Sequence, residues 1–285
     1  MANRNRPGTK PTRAKGIRRH MAKKLPKYEN ILTKWHGRTF ELRLNRPHKR
    51  NAVCDALTDE IYDCLLQIQK EDIGAMVLTG NGDHFCAGLD LAEHKDRPIF
   101  PSVKHSAGWH RMLNLIEFGQ WPVVAAFQGG VIGGGLEIGS SAHVRIAEPS
   151  TFYQLPEGRR GIYVGGGASV RVSRIIGGDR MREMMLTGRR YNAEEGLRLG
   201  LSHYNVGKGE AYKKALEMAD DIAGNAPISN YMMIQALPRI ADMSRDEGFM
   251  TESLAASISC ESPEARAGIE AFLKKQPIRF DKKKK

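Results

Sequence analysis

Short apolar strands alternate with amphipathic helices through roughly the first 150 residues, and helices follow almost without interruption after residue 165. Strands are predicted at residues 31–35, 39–44, 75–78, 123–127 and 144–147. Helices are predicted at 57–69 (after a possible cap at Asp55), 105–118, 167–176, 179–186, 193–199, 209–224 and 227 to about 273. This alternation restricts the fold to an α/β body with helices packed at its C-terminal end.

Basic charge is concentrated at the two ends of the chain, whose formal net charge is +12. Residues 1–27 contain ten Lys and Arg and no acidic residue, and Lys282–Lys285 add four more lysines. The 30 basic and 32 acidic side chains that remain leave the body close to neutral. We therefore expect two solvated tails, with a polyanion-binding arm as the alternative, and no nucleic-acid partner for the folded body.

Cysteine and histidine spacing predicts neither a zinc site nor a redox pair. The four cysteines form no CxxC motif, and the nine histidines form no HxxxH or HExxH motif. The sequence contains no run of about 18 apolar residues, so no membrane helix is predicted. The basic N-terminus is not followed by the apolar segment of a secretory signal. We expect a cytoplasmic protein with reduced thiols and no metal.

Two glycine-bearing turns follow predicted strands and are suited to binding an oxyanion. Gly133–Gly135 precede Leu136 and Glu137, and glycines there let a ligand approach backbone N–H groups at a helix start. The spacing fits neither GxGxxG nor a phosphate loop ending in Gly-Lys-Ser/Thr. Phe85–Leu91 form the second turn. Each turn can lend one N–H to the same carbonyl oxygen, which is the arrangement of an oxyanion hole.

Two glutamates stand beside such turns. Glu137 lies two residues after the last of these glycines, and Glu157 follows Leu155-Pro156 twenty residues later. Paired carboxylates next to Gly- and Pro-rich turns are typical of general acid–base catalysis.

The order and spacing of these segments resembles the crotonase (enoyl-CoA hydratase/isomerase) superfamily from about Tyr28 to Phe280. The segments that carry the resemblance are Asn45–Pro47 with Asn51-Ala52, Val77–Gly80, Phe85–Leu91, Pro122–Ala126, Gly133–Glu137, Leu155–Glu157, Leu186–Gly188 and Ala193–Gly196.

The resemblance implies a fold, a substrate and an assembly. The fold is α/β, a spiral of ββα units around two roughly perpendicular sheets with a helical C-terminal trimerisation region. The substrate is an acyl-CoA of fatty acid metabolism, the assembly is a homotrimer or homohexamer, and no cofactor is needed beyond the substrate's coenzyme A. The chain would divide into a basic tail at 1–27, a spiral core at 28–225, a helical region at 226–280 and a lysine-rich tail at 281–285.

Site residues are also implied by the resemblance. The backbone N–H groups of Leu89 and Gly134 would hold the thioester carbonyl, and Glu137 and Glu157 would be the catalytic glutamates. Coenzyme A would lie along the 45–52 loop and the 87–90 turn. The residues implied in its binding are Lys49, Arg50, Ala52, Ala87, Gly88, Asp90 and Gly133.

The presence of both glutamates favours the hydratase branch, a carbon–oxygen lyase, because the isomerase branch typically manages with one carboxylate. Glu157 would then protonate C2, and Glu137 would activate the water that attacks C3. An enoyl-CoA isomerase stays open, as does a hydroxycinnamoyl-CoA hydratase-lyase with Tyr153 or Tyr163 in its pocket. The near-neutral body and the lack of RNP or KH motifs argue against an RNA-binding relative. The presence of both glutamates argues against a family member that has lost catalysis and serves only as a scaffold.

Two features of the sequence bear on the acyl group, and the first is a departure from the family pattern. Arg159 and Arg160 replace apolar residues after Glu157, so they could lower its pKa, recognise a polar acyl group, or face solvent or a subunit interface. Residues 92–118, which would line the acyl pocket, contain His94, His105 and Trp109, a composition more typical of core packing.

Overall fold

The computed structural model describes residues 25–281. The predicted basic tail at residues 1–27 therefore lies outside the described residues except for its last three positions, and so do the four C-terminal lysines.

The larger of two β-sheets has six strands in the order β1-β2-β3-β4-β6-β9. These are β1 (Ile31–His36), β2 (Thr39–Leu44), β3 (Ala75–Gly80), β4 (Val123–Phe127), β6 (Val144–Ala147) and β9 (Tyr204–Asn205). The first two strands form the predicted antiparallel hairpin, and every other neighbouring pair is parallel. β3 and β4 are buried along their whole length, which explains their continuous apolar sequences.

The smaller sheet has three short strands, β5 (Gly130–Ile132), β7 (Phe152–Gln154) and β8 (Tyr191–Asn192). β5 and β7 pair in parallel, so the chain leaves both strands at the same edge of the sheet. One exit leads to Gly133–Gly135 and the other to Glu157. The sequence analysis did not predict these strands, which are only two or three residues long.

Ten α-helices lie within residues 25–281. They are α1 (Asp55–Gln67), α2 (Ile99–Glu117), α3 (Gly134–Ser140), α4 (Ala168–Ile176), α5 (Gly178–Thr187), α6 (Ala193–Leu199), α7 (Ala211–Ala223), α8 (Pro227–Ile240), α9 (Arg245–Cys260) and α10 (Pro263–Leu273).

The large sheet is covered on both faces. On one face, four alanines of α7 pack against β3, β4 and β6. They recur every fourth residue and so form a single stripe along the helix: Ala211, Ala215, Ala219 and Ala223. The other face contacts the main core, to which α1, α2 and α3 contribute. The predicted α/β class with a helical C-terminal region is confirmed.

Three predicted helix boundaries were wrong. Asp55 is the first residue of α1 and not its cap, which is Cys54 without a side-chain cap bond. Helix α2 begins at Ile99, six residues before the predicted start, and its first turn is exposed. The helical stretch from 227 to about 273 is three helices, with the second and third starting after Ser244 and Ser262.

The last two helices leave large apolar side chains exposed, Phe272 and Leu273 by 80% and 74%. Within residues 25–281, none of the helices combines the length and apolarity that a membrane crossing demands.

Candidate active site

A cavity of about 610 Å³ opens where the turns after β3, β5 and β7 meet helix α2. Ligands of α/β proteins bind at the ends of strands, where backbone N–H groups and loop side chains converge. The lining residues used below are Gly88, Leu89, Gly133, Gly134, Glu137 and Glu157.

The two glycine turns lie against each other at the inner end of this cavity. Cys86 forms a parallel bridge with Val131, and Ile132 N–H donates to the Cys86 carbonyl at 3.0 Å. A Cβ on Gly88 (φ +94°) would approach the Ile132 carbonyl oxygen to 2.9 Å and the Gly134 nitrogen to 3.4 Å. Position 88 therefore favours glycine for two reasons, its positive φ and the close approach of the neighbouring backbone.

The N–H groups of Leu89 and Gly134 are left available by this packing. Val53 N–H donates to the Gly88 carbonyl and Asp90 N–H donates to the Val53 carbonyl, at 2.8 and 2.9 Å. In a parallel bridge of this pattern the intervening residue, Leu89, directs its own N–H away from Val53. Gly134 is the first residue of α3, so its N–H has no intrahelical acceptor.

Glu137 is a buried carboxylate in the first turn of α3, with 5% of its surface exposed. Its Oε1 accepts the N–H groups of Gly166 and Ala168 at 2.7 and 3.1 Å. Burial raises the pKa of Glu137, and these two backbone hydrogen bonds and the charge of Arg171 oppose the rise. The hydrogen bonds fix the orientation of the carboxylate.

Glu157 begins the 3₁₀ turn Glu157–Arg160 and is also buried, with 7% exposed. Its Oε2 has no hydrogen-bond partner among the described residues, and its Oε1 lies 2.8 Å from where a Cβ of Gly133 would be. Burial raises its pKa to about 7, the charge of Glu137 adds to the rise, and Arg160 opposes it. The carboxyl group can therefore exist in either protonation state near neutral pH.

The arginines after Glu157 separate into two environments. Arg159 donates to the Thr187 carbonyl, and a Cβ on Gly188 would fall 2.3 Å from its Nε. Arg160 lines the cavity and lowers the pKa of Glu157, but burial outweighs it. Of the two arginines, only Arg160 lowers the pKa of Glu157, as one of the sequence-based alternatives expected. The net shift of that pKa is nevertheless upward.

The other predicted binding residues are divided between the cavity and its surroundings. Ala87, Gly88 and Gly133 line the cavity, whereas Lys49, Arg50, Ala52 and Asp90 are not among its lining residues. Lys49 and Arg50 are exposed on the adjoining loop, which is attached to the turn because Ala87 N–H donates to the Arg50 carbonyl at 2.9 Å. Asp90 instead pairs with Arg46 at 3.2 Å, and Arg46 also donates to the Ala52 carbonyl.

The two tyrosines named for a lyase pocket occupy different positions. Tyr153 is fully buried beneath α6, where the Cβ of any residue replacing Gly196 would meet its ring. Tyr163 lines the cavity but is 70% exposed. The structure thus brings one of them to the site.

Residues in the 92–118 segment, which the resemblance placed at the acyl pocket, line the cavity. The Trp109 ring is almost fully buried and packs on both glycine segments, since Cβ atoms at Gly134 and Gly166 would lie 2.8 and 2.6 Å from it. His94 and His105 line the cavity beside it. Their position near Asp55 gives no recognisable motif, because these residues are far apart in the sequence.

Comparison with known proteins is consistent with this geometry. A model of the enoyl-CoA hydratase/isomerase family matches residues 37–283, a range that includes both turns and both glutamates. Enoyl-CoA hydratase EchA19 of Mycobacterium tuberculosis is 29% identical over 255 residues, which cover 88% of this chain and 96% of that protein. The short-chain-enoyl-CoA hydratase of Clostridium acetobutylicum is 29% identical over 251 residues, which cover 87% and 96%. The crystal structure of a candidate enoyl-CoA hydratase from Rhodopseudomonas palustris is similar at a TM-score of 0.84 and 46% identity, covering 88% of this chain and 98% of that one.

Proposed function

This chain belongs to the enoyl-CoA hydratase/isomerase family, and we propose that it catalyses the reversible syn addition of water to a trans-2-enoyl-CoA thioester. The observation that carries the proposal is the presence of two buried carboxylates in one cavity with two glycine turns. The known relatives named above, which are enoyl-CoA hydratases, support it.

The oxyanion of the reaction would be held by the backbone. The N–H groups of Leu89 and Gly134 donate to the thioester oxygen as negative charge develops on it during attack at C3. Removal of one such donor typically costs about 2.7–4 kcal/mol of transition-state stabilisation. The close packing of the two turns supports this role, because fixed donors need no rearrangement during the reaction.

The two glutamates would divide the proton transfers. Glu137, oriented by Gly166 and Ala168, accepts a proton from water as its oxygen bonds to C3. Glu157 donates its proton to C2. The proton that Glu137 accepted from water is then passed to Glu157, which restores both carboxyl groups to their starting states. A pKa of about 7 suits Glu157 to this exchange, because both of its protonation states are accessible near neutral pH.

Coenzyme A would enter over the 45–52 loop, with the exposed Lys49 and Arg50 meeting its phosphates. The hydrogen bond from Ala87 N–H to the Arg50 carbonyl supports this path, since it connects the basic loop to the oxyanion turn. The water addition itself uses no cofactor apart from the coenzyme A of the substrate.

The assembly would be a homotrimer or a dimer of trimers formed through the C-terminal helices. Exposed apolar side chains on α9 and α10 support this, because a patch of this kind is usually covered by a partner. The residues are Phe249, Met250, Leu254, Ile258, Ile269, Phe272 and Leu273.

The proposal is tested by the loss of enoyl-thioester ultraviolet absorbance with crotonyl-CoA and a longer enoyl-CoA. We expect Glu137→Gln and Glu157→Gln each to lower kcat by about 10²–10⁴-fold, because each removes a proton-transfer group. Glu194→Gln, which changes an exposed glutamate on α6, is the matched control and should keep wild-type activity. Hydration at the wild-type rate by Glu157→Gln would overturn the assignment of the two roles.

A further inference from the structure

Two histidines and one carboxylate converge on the α2 side of the cavity. The Nε2 atoms of His94 and His105 are 3.2 Å apart. Asp55 Oδ1 lies 3.2 Å from the His105 nitrogen and 3.7 Å from the His94 nitrogen. The proposed water addition uses none of these three side chains.

The hydrogen bonds around the cluster show which atoms are available as metal ligands. His94 Nδ1 is 3.1 Å from the Asp90 carbonyl oxygen, which can only accept, so Nδ1 carries a proton and the neutral ring has its free lone pair on Nε2. His105 Nε2 accepts the indole N–H of Trp109 at 3.1 Å, so it is also unprotonated. Asp55 Oδ1 is a buried atom within ion-pair distance of both imidazole nitrogens. Without a cation among them the three acceptors would repel one another, and either a proton on one imidazole or a bound metal ion relieves that repulsion.

The spacing of the three atoms matches a small transition-metal ion. The separations are 3.2, 3.2 and 3.7 Å, so the point in the plane of the three atoms that is equidistant from them lies about 2.0 Å from each. Zinc in proteins is bound at about 2.0–2.2 Å by His nitrogen and carboxylate oxygen.

Surrounding residues hold the three side chains in place as outer partners of metal ligands do. The Asp90 carbonyl fixes the tautomer of His94, and Arg97 donates to Asp55 Oδ2 at 2.6 Å. Such contacts orient ligands and select the nitrogen that faces the metal. Arg97 also brings a positive charge, which weakens the attraction for a dication without removing it.

We propose that Asp55, His94 and His105 bind a divalent transition-metal ion of the Zn²⁺ class in the wall of the acyl cavity. Both imidazoles line the cavity, so a ligand from the cavity can complete a tetrahedral site. Binding replaces the hydrogen bond from Trp109 to His105. The site goes beyond the proposed water addition and does not depend on it, and it departs from the sequence-based expectation that no metal binds.

Titration of the untagged, chelator-treated full chain with Co²⁺, followed by visible absorption, tests the proposal. We expect one equivalent to bind per chain, to show ligand-field bands of a tetrahedral site, and to be displaced by Zn²⁺. His94→Ala and His105→Ala should each weaken binding at least about tenfold. His110→Ala removes an exposed histidine of the same helix and is the matched control, expected to bind as wild type does.

Asp55→Asn provides a second route, because it removes the charged ligand with little change of shape. It too should weaken binding about tenfold, with far-ultraviolet circular dichroism showing that each variant is folded. The proposal is overturned if the wild-type chain binds no Co²⁺. It is equally overturned if the folded Asp55, His94 and His105 variants bind as tightly as His110→Ala.

Discussion

The ionised Glu157 side chain should lower the free energy of unfolding at alkaline pH, and Glu157→Gln should remove this destabilisation. Its pKa rises from 4.5 to about 7 on folding. One pKa unit corresponds to 1.36 kcal/mol, so the full effect is about 3 kcal/mol. The shift comes mainly from burial, which favours the neutral carboxyl over the carboxylate.

The direction of the pH dependence follows from proton binding. Between pH 4.5 and about 7, folded Glu157 binds more protons than unfolded Glu157. The stability that the neutral carboxyl contributes is therefore fully present below pH 4.5 and is lost as the pH rises through about 7. Gln resembles the neutral carboxyl and does not titrate. The variant should exceed the wild-type free energy of unfolding by less than about 1 kcal/mol near pH 5 and by about 3 kcal/mol near pH 8.

Urea unfolding at both pH values, at one fixed chain concentration, measures this difference. The concentration is fixed because the proposed assembly would contribute to the apparent stability. Glu194→Gln is the control for removal of one negative charge and should shift the stability by less than about 0.5 kcal/mol at either pH. A Glu157→Gln stability increment that is equal at pH 5 and pH 8, or absent at pH 8, would refute the reasoning.

Two further predictions follow from the packing. In Gly166→Ala the new Cβ would lie 2.6 Å from both Glu137 Oε2 and the Trp109 ring, so the carboxylate must move and kcat should fall about 10–100-fold. Gly178→Ala, at an exposed position of α5 where the new Cβ would meet nothing within 4 Å, should keep near-wild-type kcat in the same absorbance assay, and equal kcat in both variants would contradict the predicted displacement of Glu137. Replacement of Phe272 and Leu273 by Ser should shift the mass measured by light scattering from an oligomer towards 31.7 kDa. A wild-type mass of 31.7 kDa, or an oligomer that these substitutions leave intact, would contradict the proposed interface.

The strands of the central sheet could be predicted closely because burial on both faces makes their sequences continuously apolar. Val123–Phe127 and Val144–Ala147 coincide with the predicted ranges. The start of α2 could not be predicted, since Ile99, Phe100 and Val103 are exposed and give no amphipathic pattern.

The site could be predicted only where its residues follow one another in the chain. Gly133–Glu137 and the 85–91 turn are local motifs, and both lie at the cavity. Two other features depend on tertiary contacts between distant segments. They are the hydrogen bond from Gly166 N–H to Glu137 and the convergence of Asp55 with His94 and His105. The position of Asp55 at the start of a helical pattern predicts a helix cap, whereas its side chain pairs with Arg97, 42 residues away in the sequence.

The most direct test of the proposed water addition is mass spectrometry of the product formed from a trans-2-enoyl-CoA in oxygen-18 water. The account predicts one labelled hydroxyl at C3 of the acyl group, formed by the wild type and at least about 10²-fold more slowly by Glu137→Gln. A product of unchanged mass with a shifted double bond, or unaltered substrate at every chain length, would contradict it.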